Sequence, residues 1–224
     1  MSVLYQAVRA VGGPAARLLF RPRVEGLHNI PRTGPVILAS NHLSFIDSVV
    51  IPLIVPRRVA FLAKAEYFEG TGLRGRAKRA FFGGVGNIPV QRNDQRGALA
   101  SLEIAMGVLH DGGAFGIYPE GSRSRDGRLY RGRTGVGWLA LASKAPVVPV
   151  GLIGTDRMQP VGSNLPRYHR ITVRFGEPMD FSAHVGRRDV GKARREVTDA
   201  VMSAIHELSG QEYAGVFNEH ATAE

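Results

Sequence analysis

Short apolar runs alternate with longer helical patterns along most of the chain, and this alternation restricts the fold more than any other feature. Apolar runs bounded by turn residues predict buried strands at 36–39, 59–63, 114–118 and 147–150. Longer apolar patterns predict helices at 98–109, 135–143 and 190–208. Strands that alternate with helices in this way form parallel sheets. We therefore predict an α/β fold with a largely parallel central sheet flanked by helices.

The two ends of the chain are less regular. Residues 24–30 predict a first strand, and the alternation of apolar and polar residues at 171–175 predicts a half-exposed one. Residues 1–23 interleave apolar side chains with arginines, which predicts amphipathic helices that lie on a membrane or pack on the domain core. Residues 24–217 form one domain in this interpretation, and residues 218–224 are expected to be a flexible tail.

The composition excludes some kinds of site and leaves several kinds of partner open. The chain lacks cysteine, which excludes disulfides and thiolate metal sites and favours an intracellular location. Its 7 histidines show no ligand spacing, so we expect no metal site. The net charge of +10 attracts polyanions, which include nucleic acid, an anionic membrane face and phosphorylated small molecules.

Neither a membrane span nor a signal peptide is expected from the sequence. The most apolar window, 135–153, contains Lys144, Pro146 and Pro149, so it predicts a buried helix, a tight loop and a buried strand. The N-terminus lacks the basic start, apolar middle and cleavage site of a signal peptide.

The segment after the strand at 36–39 carries the first candidate catalytic residues. Ser40 and Asn41 are residue types that start helices, and His42 and Asp47 lie on either side of the expected first turn. If His42 lies in the turn before the helix and Asp47 inside it, the carboxylate reaches the imidazole and fixes its tautomer. The alternative is a helix cap beside a surface histidine. As a base, His42 would deprotonate a substrate hydroxyl, because the chain has neither a cysteine nucleophile nor a G-x-S-x-G serine.

Polar side chains also follow other predicted strands. Arg92 ends the apolar run that begins after Gly86, and a second group follows the strand at 114–118, namely Glu120, Gly121, Ser122 and Arg123. Because sites form at the carboxyl ends of such strands, we expect these residues to share a pocket with the candidate base. The two arginines suit a phosphate, and the glycine and serine add backbone and hydroxyl donors. Glu120 would repel a phosphate, so it is expected to hold an arginine or to accept from a substrate hydroxyl.

Four blocks of the sequence, taken in order, resemble the motifs of the glycerolipid acyltransferases, the family of 1-acylglycerol-3-phosphate acyltransferases. The blocks are N-H-L-S-F-I-D at 41–47, G-N-I-P-V-Q-R at 86–92, Y-P-E-G-S-R-S at 118–124 and V-V-P-V at 147–150. The third block is similar to the F-P-E-G-T-R-S of the family. On this resemblance we assign residues 24–217 to one acyltransferase domain.

The resemblance implies transfer of a fatty acyl group from acyl-CoA to lysophosphatidic acid, giving phosphatidic acid in phospholipid biosynthesis. It implies that His42 is the general base and that Asp47 is its partner. The substrate-binding positions implied by the family are Arg92, Glu120 and Gly121, with Arg123 as a further phosphate contact. Ser122, a hydroxyl donor, completes the candidate substrate-binding set. No cofactor is implied, since acyl-CoA is a co-substrate, and acyl carrier protein is a second candidate donor.

The implied partners are the two substrates and an anionic membrane surface, on the cytoplasmic face of the cell membrane, where the protein would be peripheral. Basic stretches at 74–79 and 123–133 are expected to contact donor phosphates or anionic lipid. Gln91 replaces a common acidic residue of the family, which leaves other acceptors open: another lysophospholipid, an ornithine lipid or a glycolipid. Two further alternatives are a hydrolase, in which water replaces the acceptor, and a basic nucleic-acid-binding protein, although no nucleic-acid motif is present.

Overall fold

The computed structural model describes residues 22–68, 71–72, 75–76, 80, 83, 86–90, 95–163 and 165–219. Within them, one sheet contains the strands β1 Arg23–Glu25, β2 Val36–Ser40, β3 Val59–Lys64, β4 Asn87–Val90, β5 Ala114–Ile117, β6 Val147–Ile153 and β7 Thr172–Phe175. The α-helices whose bounds the structure describes are α1 Asp47–Ile54, α2 Gln95–His110, α3 Gly135–Ser143, α4 Thr155–Met158 and α5 Val190–Ser209. Short 3-10 turns lie at Leu27–Asn29, Ala65–Phe68 and Ser182–His184.

The order of strands across the sheet is β1-β7-β6-β2-β5-β3-β4. All neighbouring pairs are parallel except β6 and β7, which are antiparallel. The link between β6 and β7 carries only the short helix α4, and a chain without a long crossover helix returns in the opposite direction. The prediction of a largely parallel sheet flanked by helices is therefore confirmed.

The central strand β2 is buried on both faces of the sheet. Its side chains alternate between two apolar clusters: Ile37 and Ala39 pack in one, and Val36 and Leu38 in the other. The first cluster is closed by residues of α2, α3 and α5, and the second includes Ile51 of α1. Burial on both faces explains the continuous apolar run. Each fully buried aliphatic side chain stabilises the fold by roughly 1.5–3 kcal/mol.

The prediction that Ser40 and Asn41 start a helix is wrong. Ser40 is the last residue of β2, and α1 begins only at Asp47. The amide of Asn41 instead extends the sheet beyond β2: its Nδ2 donates to the Leu152 carbonyl over 2.9 Å, and its Oδ1 accepts from the Leu152 N–H over 2.7 Å. A polar residue directly after a buried strand therefore serves as a sheet partner here. The helix runs through Pro52 and ends at Ile54.

The predicted first strand at 24–30 is shorter than expected. β1 ends at Glu25 because Gly26 has a left-handed backbone with φ of 69°, and a 3-10 turn follows. A Cβ at Gly26 would lie 2.0 Å from the Phe175 carbonyl oxygen, so this position requires glycine.

The C-terminal prediction also changes. Asn218, which was assigned to the flexible tail, is 1% exposed, and its Nδ2 donates to the Arg123 carbonyl over 3.2 Å. Residues 220–224 lie outside the described part of the chain, as do residues 1–21, on which the predicted N-terminal amphipathic helices fall.

Gly116 in β5 makes room for the largest side chain of the neighbouring strand. It pairs with Phe61 of β3, and a Cβ at Gly116 would lie 2.1–2.4 Å from three atoms of the Phe61 ring. Any side chain here would displace that ring, so the close approach of ring and backbone depends on glycine.

Candidate active site

The carboxylate of Asp47 organises the turn between β2 and α1. Its Oδ2 lies 2.9 Å from Nδ1 of His42, and it accepts the N–H groups of Leu43 and Ser44 over 2.8 Å each. The Asp47 side chain is fully buried. Asp47 is also the first residue of α1, where the helix dipole stabilises a negative charge. The predicted arrangement, with His42 before the helix and Asp47 inside it, is thus the one observed.

This contact determines which nitrogen of His42 can react. A hydrogen on Nδ1 donates to the carboxylate, so Nε2 keeps its lone pair and can accept a proton. The His42 side chain is 15% exposed, which limits its contact with water. A positive charge that forms on the imidazole is stabilised by the carboxylate 2.9 Å away.

Tyr118 fixes the plane of the imidazole. Its ring is stacked on His42, with ring centroids 3.8 Å apart and planes 8° from parallel. The Tyr118 hydroxyl lies 3.0 Å from Oγ of Ser48, and the Phe61 ring packs against it with a centroid distance of 5.4 Å. From the sequence alone, Tyr118 is only a replacement for the phenylalanine of the third motif. Its place directly after β5, at the same edge as His42, was the signal that could have identified it.

Glu120 connects the His42 turn to the loop that follows β5. Its side chain is fully buried; Oε1 accepts the His42 N–H and Oε2 accepts the Tyr130 N–H, each over 2.9 Å. Burial raises the pKa of Glu120 to about 7; the two N–H groups act in the opposite direction, and the carboxylates of Asp47 and Asp126 raise it further. We had expected an arginine or a substrate hydroxyl as its partner, and the structure gives it two backbone amides instead.

The residues after Glu120 form a turn beside His42. Gly121 has φ of 85° and donates its N–H to the Tyr118 carbonyl over 3.0 Å, a conformation that favours glycine. The Ser124 N–H donates to the His42 carbonyl over 2.8 Å, so the two segments are bonded in both directions. The Ser122 side chain is buried, and its hydroxyl has no hydrogen-bond partner within the described part of the chain.

The C-terminal segment, residues 211–218, holds this loop in place. Its backbone pairs with the loop through Leu129 N–H to Glu212 O, Ala214 N–H to Leu129 O, and Arg131 N–H to Val216 O, each over 2.8 Å. Gln211 donates to the Gly127 carbonyl over 2.7 Å and accepts from Nδ2 of Asn41 over 2.7 Å. This segment has neither a strand pattern nor a motif, so its role could not be predicted from the sequence.

The geometry described above is accompanied by similarity to known proteins. A family model described as Acyltransferase matches residues 21–153, more than half of the chain. The chain belongs to the acyltransferase family. The resemblance to the glycerolipid acyltransferases, inferred from four motifs, is confirmed.

Curated relatives of this acyltransferase carry the name 1-acyl-sn-glycerol-3-phosphate acyltransferase. LPAT1 of Arabidopsis thaliana chloroplasts is 29% identical over 186 residues, which are 81% of this chain and 49% of LPAT1. BAT2 of Brassica napus chloroplasts is 32% identical over 64% of this chain and 40% of its own length. The alpha enzyme of Mus musculus is 29% identical over 60% of this chain and 47% of its own. The chain therefore spans about half the length of the curated relatives it matches.

A solved structure has the same fold. The 1-acyl-sn-glycerophosphate acyltransferase PlsC of Thermotoga maritima superposes with a TM-score of 0.67 and 26% sequence identity. The similarity covers 91% of this chain and 79% of PlsC.

Two arginines complete the set of predicted site residues. Arg92 lies outside the described residues, two positions beyond the end of β4, so its approach to His42 stays a prediction. Arg123 is half-buried, and its carbonyl accepts from Asn218.

Within the described ranges, no group of histidine, aspartate and glutamate side chains is arranged to hold a metal ion. In the same ranges, no helix has the length and apolar character that a membrane span requires.

Proposed function

We propose that this acyltransferase transfers a fatty acyl group from acyl-CoA to the free hydroxyl of lysophosphatidic acid, giving phosphatidic acid and coenzyme A. The observation that carries the proposal is the contact between His42 and Asp47, 2.9 Å long and fixed at the start of α1. The names of the curated relatives support the choice of acceptor.

In the proposed reaction, Nε2 of His42 removes the proton from the acceptor hydroxyl as the oxygen attacks the thioester carbonyl. A C–O bond forms, the C–S bond breaks, and the proton leaves on the thiol of coenzyme A. Asp47 stabilises the imidazolium that forms between the two proton transfers. The reaction needs neither a covalent enzyme intermediate nor a cofactor.

We assign the acceptor phosphate to Arg92, Ser122 and Arg123, with the exposed turn at Gly121 close to it. The buried Ser122 hydroxyl, which lacks a protein partner in the described part of the chain, supports this assignment, because a substrate oxygen would satisfy it. Glu120 is a positioning residue in this mechanism: it holds the backbone of His42 and of Tyr130. The protein is proposed to act as a peripheral protein on the cytoplasmic face of the cell membrane.

One experiment tests the choice of acceptor and the reaction type together. The full chain is incubated with one labelled acyl-CoA and a panel of acceptors: lysophosphatidic acid, other lysophospholipids, an ornithine lipid precursor and a glycolipid. We expect labelled phosphatidic acid as the main product. A different labelled lipid as the main product would overturn the acceptor assignment, and labelled free fatty acid without a lipid product would identify a hydrolase instead.

A parallel assay compares acyl-CoA with acyl carrier protein thioesters of the same chain length. We expect a higher kcat/KM for acyl-CoA, and a higher value for the carrier protein would replace the proposed donor. Failure of the chain to transfer an acyl group, together with a shift of DNA at a salt concentration where liposomes do not bind it, would support the nucleic-acid alternative.

A further inference from the structure

An exposed surface lies in the link between β6 and β7. It is made of apolar and basic side chains, which we name the basic-apolar loop: Arg157, Val161, Leu165, Arg167, Tyr168 and Arg170. Leu165 is 76% exposed and Tyr168 70%, more than any other large apolar side chain for which exposure is described. Large apolar side chains that are exposed together indicate an interaction surface.

The arginines of this loop are not used within the fold. Arg157, Arg167 and Arg170 form no ion pair with any residue that the structure describes. Some other surface arginines are paired, as in Arg187 with Asp189 and Arg195 with Asp199. An arginine without a carboxylate partner keeps its charge available for an anion outside the protein.

The loop is attached to the candidate active site. The buried hydroxyl of Ser44, two residues after His42, donates to the Gln159 carbonyl over 2.6 Å. At the base of the loop, the Arg167 N–H donates to the Met158 carbonyl over 2.7 Å.

An open pocket connects the loop to the His42 turn. It is lined by Leu43, by Arg157 and Arg170, and by Asp156 and His169. Asp156 is the acidic side chain in this lining, so the arginines leave the pocket positive. Because β6 runs parallel to β2, its carboxyl end and the loop lie at the edge of the sheet that also carries His42.

We propose that the basic-apolar loop is the surface with which the protein binds an anionic phospholipid bilayer next to the candidate active site. Guanidinium groups alone would suit a soluble anion, but Leu165 and Tyr168 add apolar side chains that gain nothing from a soluble phosphate. Arginine beside leucine and tyrosine matches the boundary between phospholipid headgroups and acyl chains. The inference rests on the proposed function, since it places the site at the surface that holds its lipid substrate.

Flotation of the full chain with vesicles tests the charges. The vesicles contain phosphatidylcholine with or without phosphatidylglycerol. We expect Arg167→Glu/Arg170→Glu to lower the partition coefficient onto phosphatidylglycerol vesicles by at least ~10-fold, because each basic residue at the surface contributes on the order of 1 kcal/mol. The matched control, Arg32→Glu/Lys144→Glu, makes the same charge change at the opposite edge of the sheet, before β2 and β6. Equal loss in both variants would show that only net charge matters and would overturn the proposal.

The apolar contacts need a separate variant. Leu165→Ser/Tyr168→Ser is expected to lower the partition coefficient several-fold, while Val190→Ser/Val216→Ser, which also alters two exposed valines, leaves it unchanged. Unchanged binding of the first variant would overturn the proposal. The proposal would also be overturned if this variant had a different oligomeric mass from the unmodified chain but bound vesicles equally well. That result would identify the loop as a contact between protein chains.

A third measurement reports contact directly, whatever other segments contribute to binding. Leu165→Trp places an indole in the loop, and its fluorescence is compared with that of the unmodified chain, which contains Trp138. We expect brominated phospholipid vesicles to quench the added fluorescence, and the absence of quenching at saturating lipid would exclude insertion of the loop. Failure of this inference is distinguishable from failure of the proposed function, because the loop variants should keep full activity on a short-chain, water-soluble acceptor, whereas a wrong function removes that activity from every variant.

Discussion

The turn that carries His42 and the loop that carries Glu120 lie side by side at one edge of the sheet, but they are held in different ways. The His42 turn contains a local centre, because Asp47 binds the imidazole and two amides, all within five residues of itself. The distant residues Glu120 and Gln159 add further bonds to this turn. The Glu120 loop is held from outside, by the C-terminal segment 211–218, about 90 residues further along the chain. The difference separates a candidate base with a local partner from a proposed acceptor site whose shape depends on distant parts of the protein.

This comparison has a functional consequence. If the proposed function holds, changes in the His42 turn should act on kcat, because they alter proton transfer. Changes in the C-terminal segment should act on the KM of the phosphorylated acceptor, because they loosen the loop that carries Ser122 and Arg123. The following predictions test that separation.

The largest effect is expected from His42→Ala. Loss of a general base lowers turnover by at least ~100-fold, while the KM of both substrates changes little. Steady-state kinetics with lysophosphatidic acid and acyl-CoA provide the measurement, with His110→Ala as the control, since the His110 side chain is 90% exposed. Near-normal turnover in His42→Ala would remove the mechanism.

The second prediction concerns the pH dependence of stability. Because burial raises the pKa of Glu120 to about 7 from an ordinary value of 4.5, its protonation stabilises the folded state fully below about pH 4.5, and this contribution is lost as the pH rises through about 7. The unfolding free energy of the unmodified chain, measured relative to that of Glu120→Gln, should therefore fall by about 3 kcal/mol as the pH rises from 4.5 to about 7.

Urea denaturation at a series of pH values measures this difference. Glu212→Gln is the control, because the Glu212 side chain is exposed and its backbone carbonyl makes the contact with the loop. A pH-independent difference for Glu120→Gln would mean that Glu120 keeps an ordinary pKa.

Gln211→Ala tests the C-terminal segment. The substitution removes one partner of the Asn41 amide and the donor to the Gly127 carbonyl, which should lower the unfolding free energy by about 1–3 kcal/mol. We expect the KM of lysophosphatidic acid to rise several-fold while kcat changes less. Glu212→Ala keeps the backbone contact and serves as the control. A fall in kcat at constant KM would break the separation between the two regions.

The smallest effect is expected from Tyr118→Phe. Phenylalanine keeps the ring stacked on His42 but loses the hydroxyl contact with Ser48, so kcat should fall by less than ~10-fold and stability by about 1 kcal/mol. A double-mutant cycle with Ser48→Ala measures the coupling between the two hydroxyls. Tyr118→Leu removes the ring as well and should lower kcat further; equal kcat in the two Tyr118 variants would show that stacking does not position the imidazole.

The sequence was a good guide wherever the determining contacts are local. Apolar periodicity located β2, β5 and α3 closely, and α3 spans the predicted residues. The pairing of His42 with Asp47 was one of two interpretations of a histidine and an aspartate five positions apart, and the structure contains this contact. Periodicity reports which face of an element is buried, and a buried face is most of what determines a parallel sheet.

The contacts that the sequence could not provide join residues far apart in the chain. Glu120 binds the amide of His42 across 78 positions, and Asn41 binds Leu152 across 111. Each contact joins a polar side chain to a backbone group. Because nearly every residue type has the same backbone groups, the sequence does not show which residue is the partner. Asn218 was assigned to a tail for the same reason, because its buried amide binds the Arg123 carbonyl.

Because Gly116 has no side chain, it also affects the packing at the end of the sheet that carries His42. Phe61 lies over Gly116, Tyr118 lies against Phe61, and His42 lies on Tyr118, so three aromatic planes connect the middle of the sheet to the candidate base. A single methyl group at Gly116 would push this stack outward from its base. The position of the imidazole thus depends in part on the space that Gly116 leaves for the Phe61 ring.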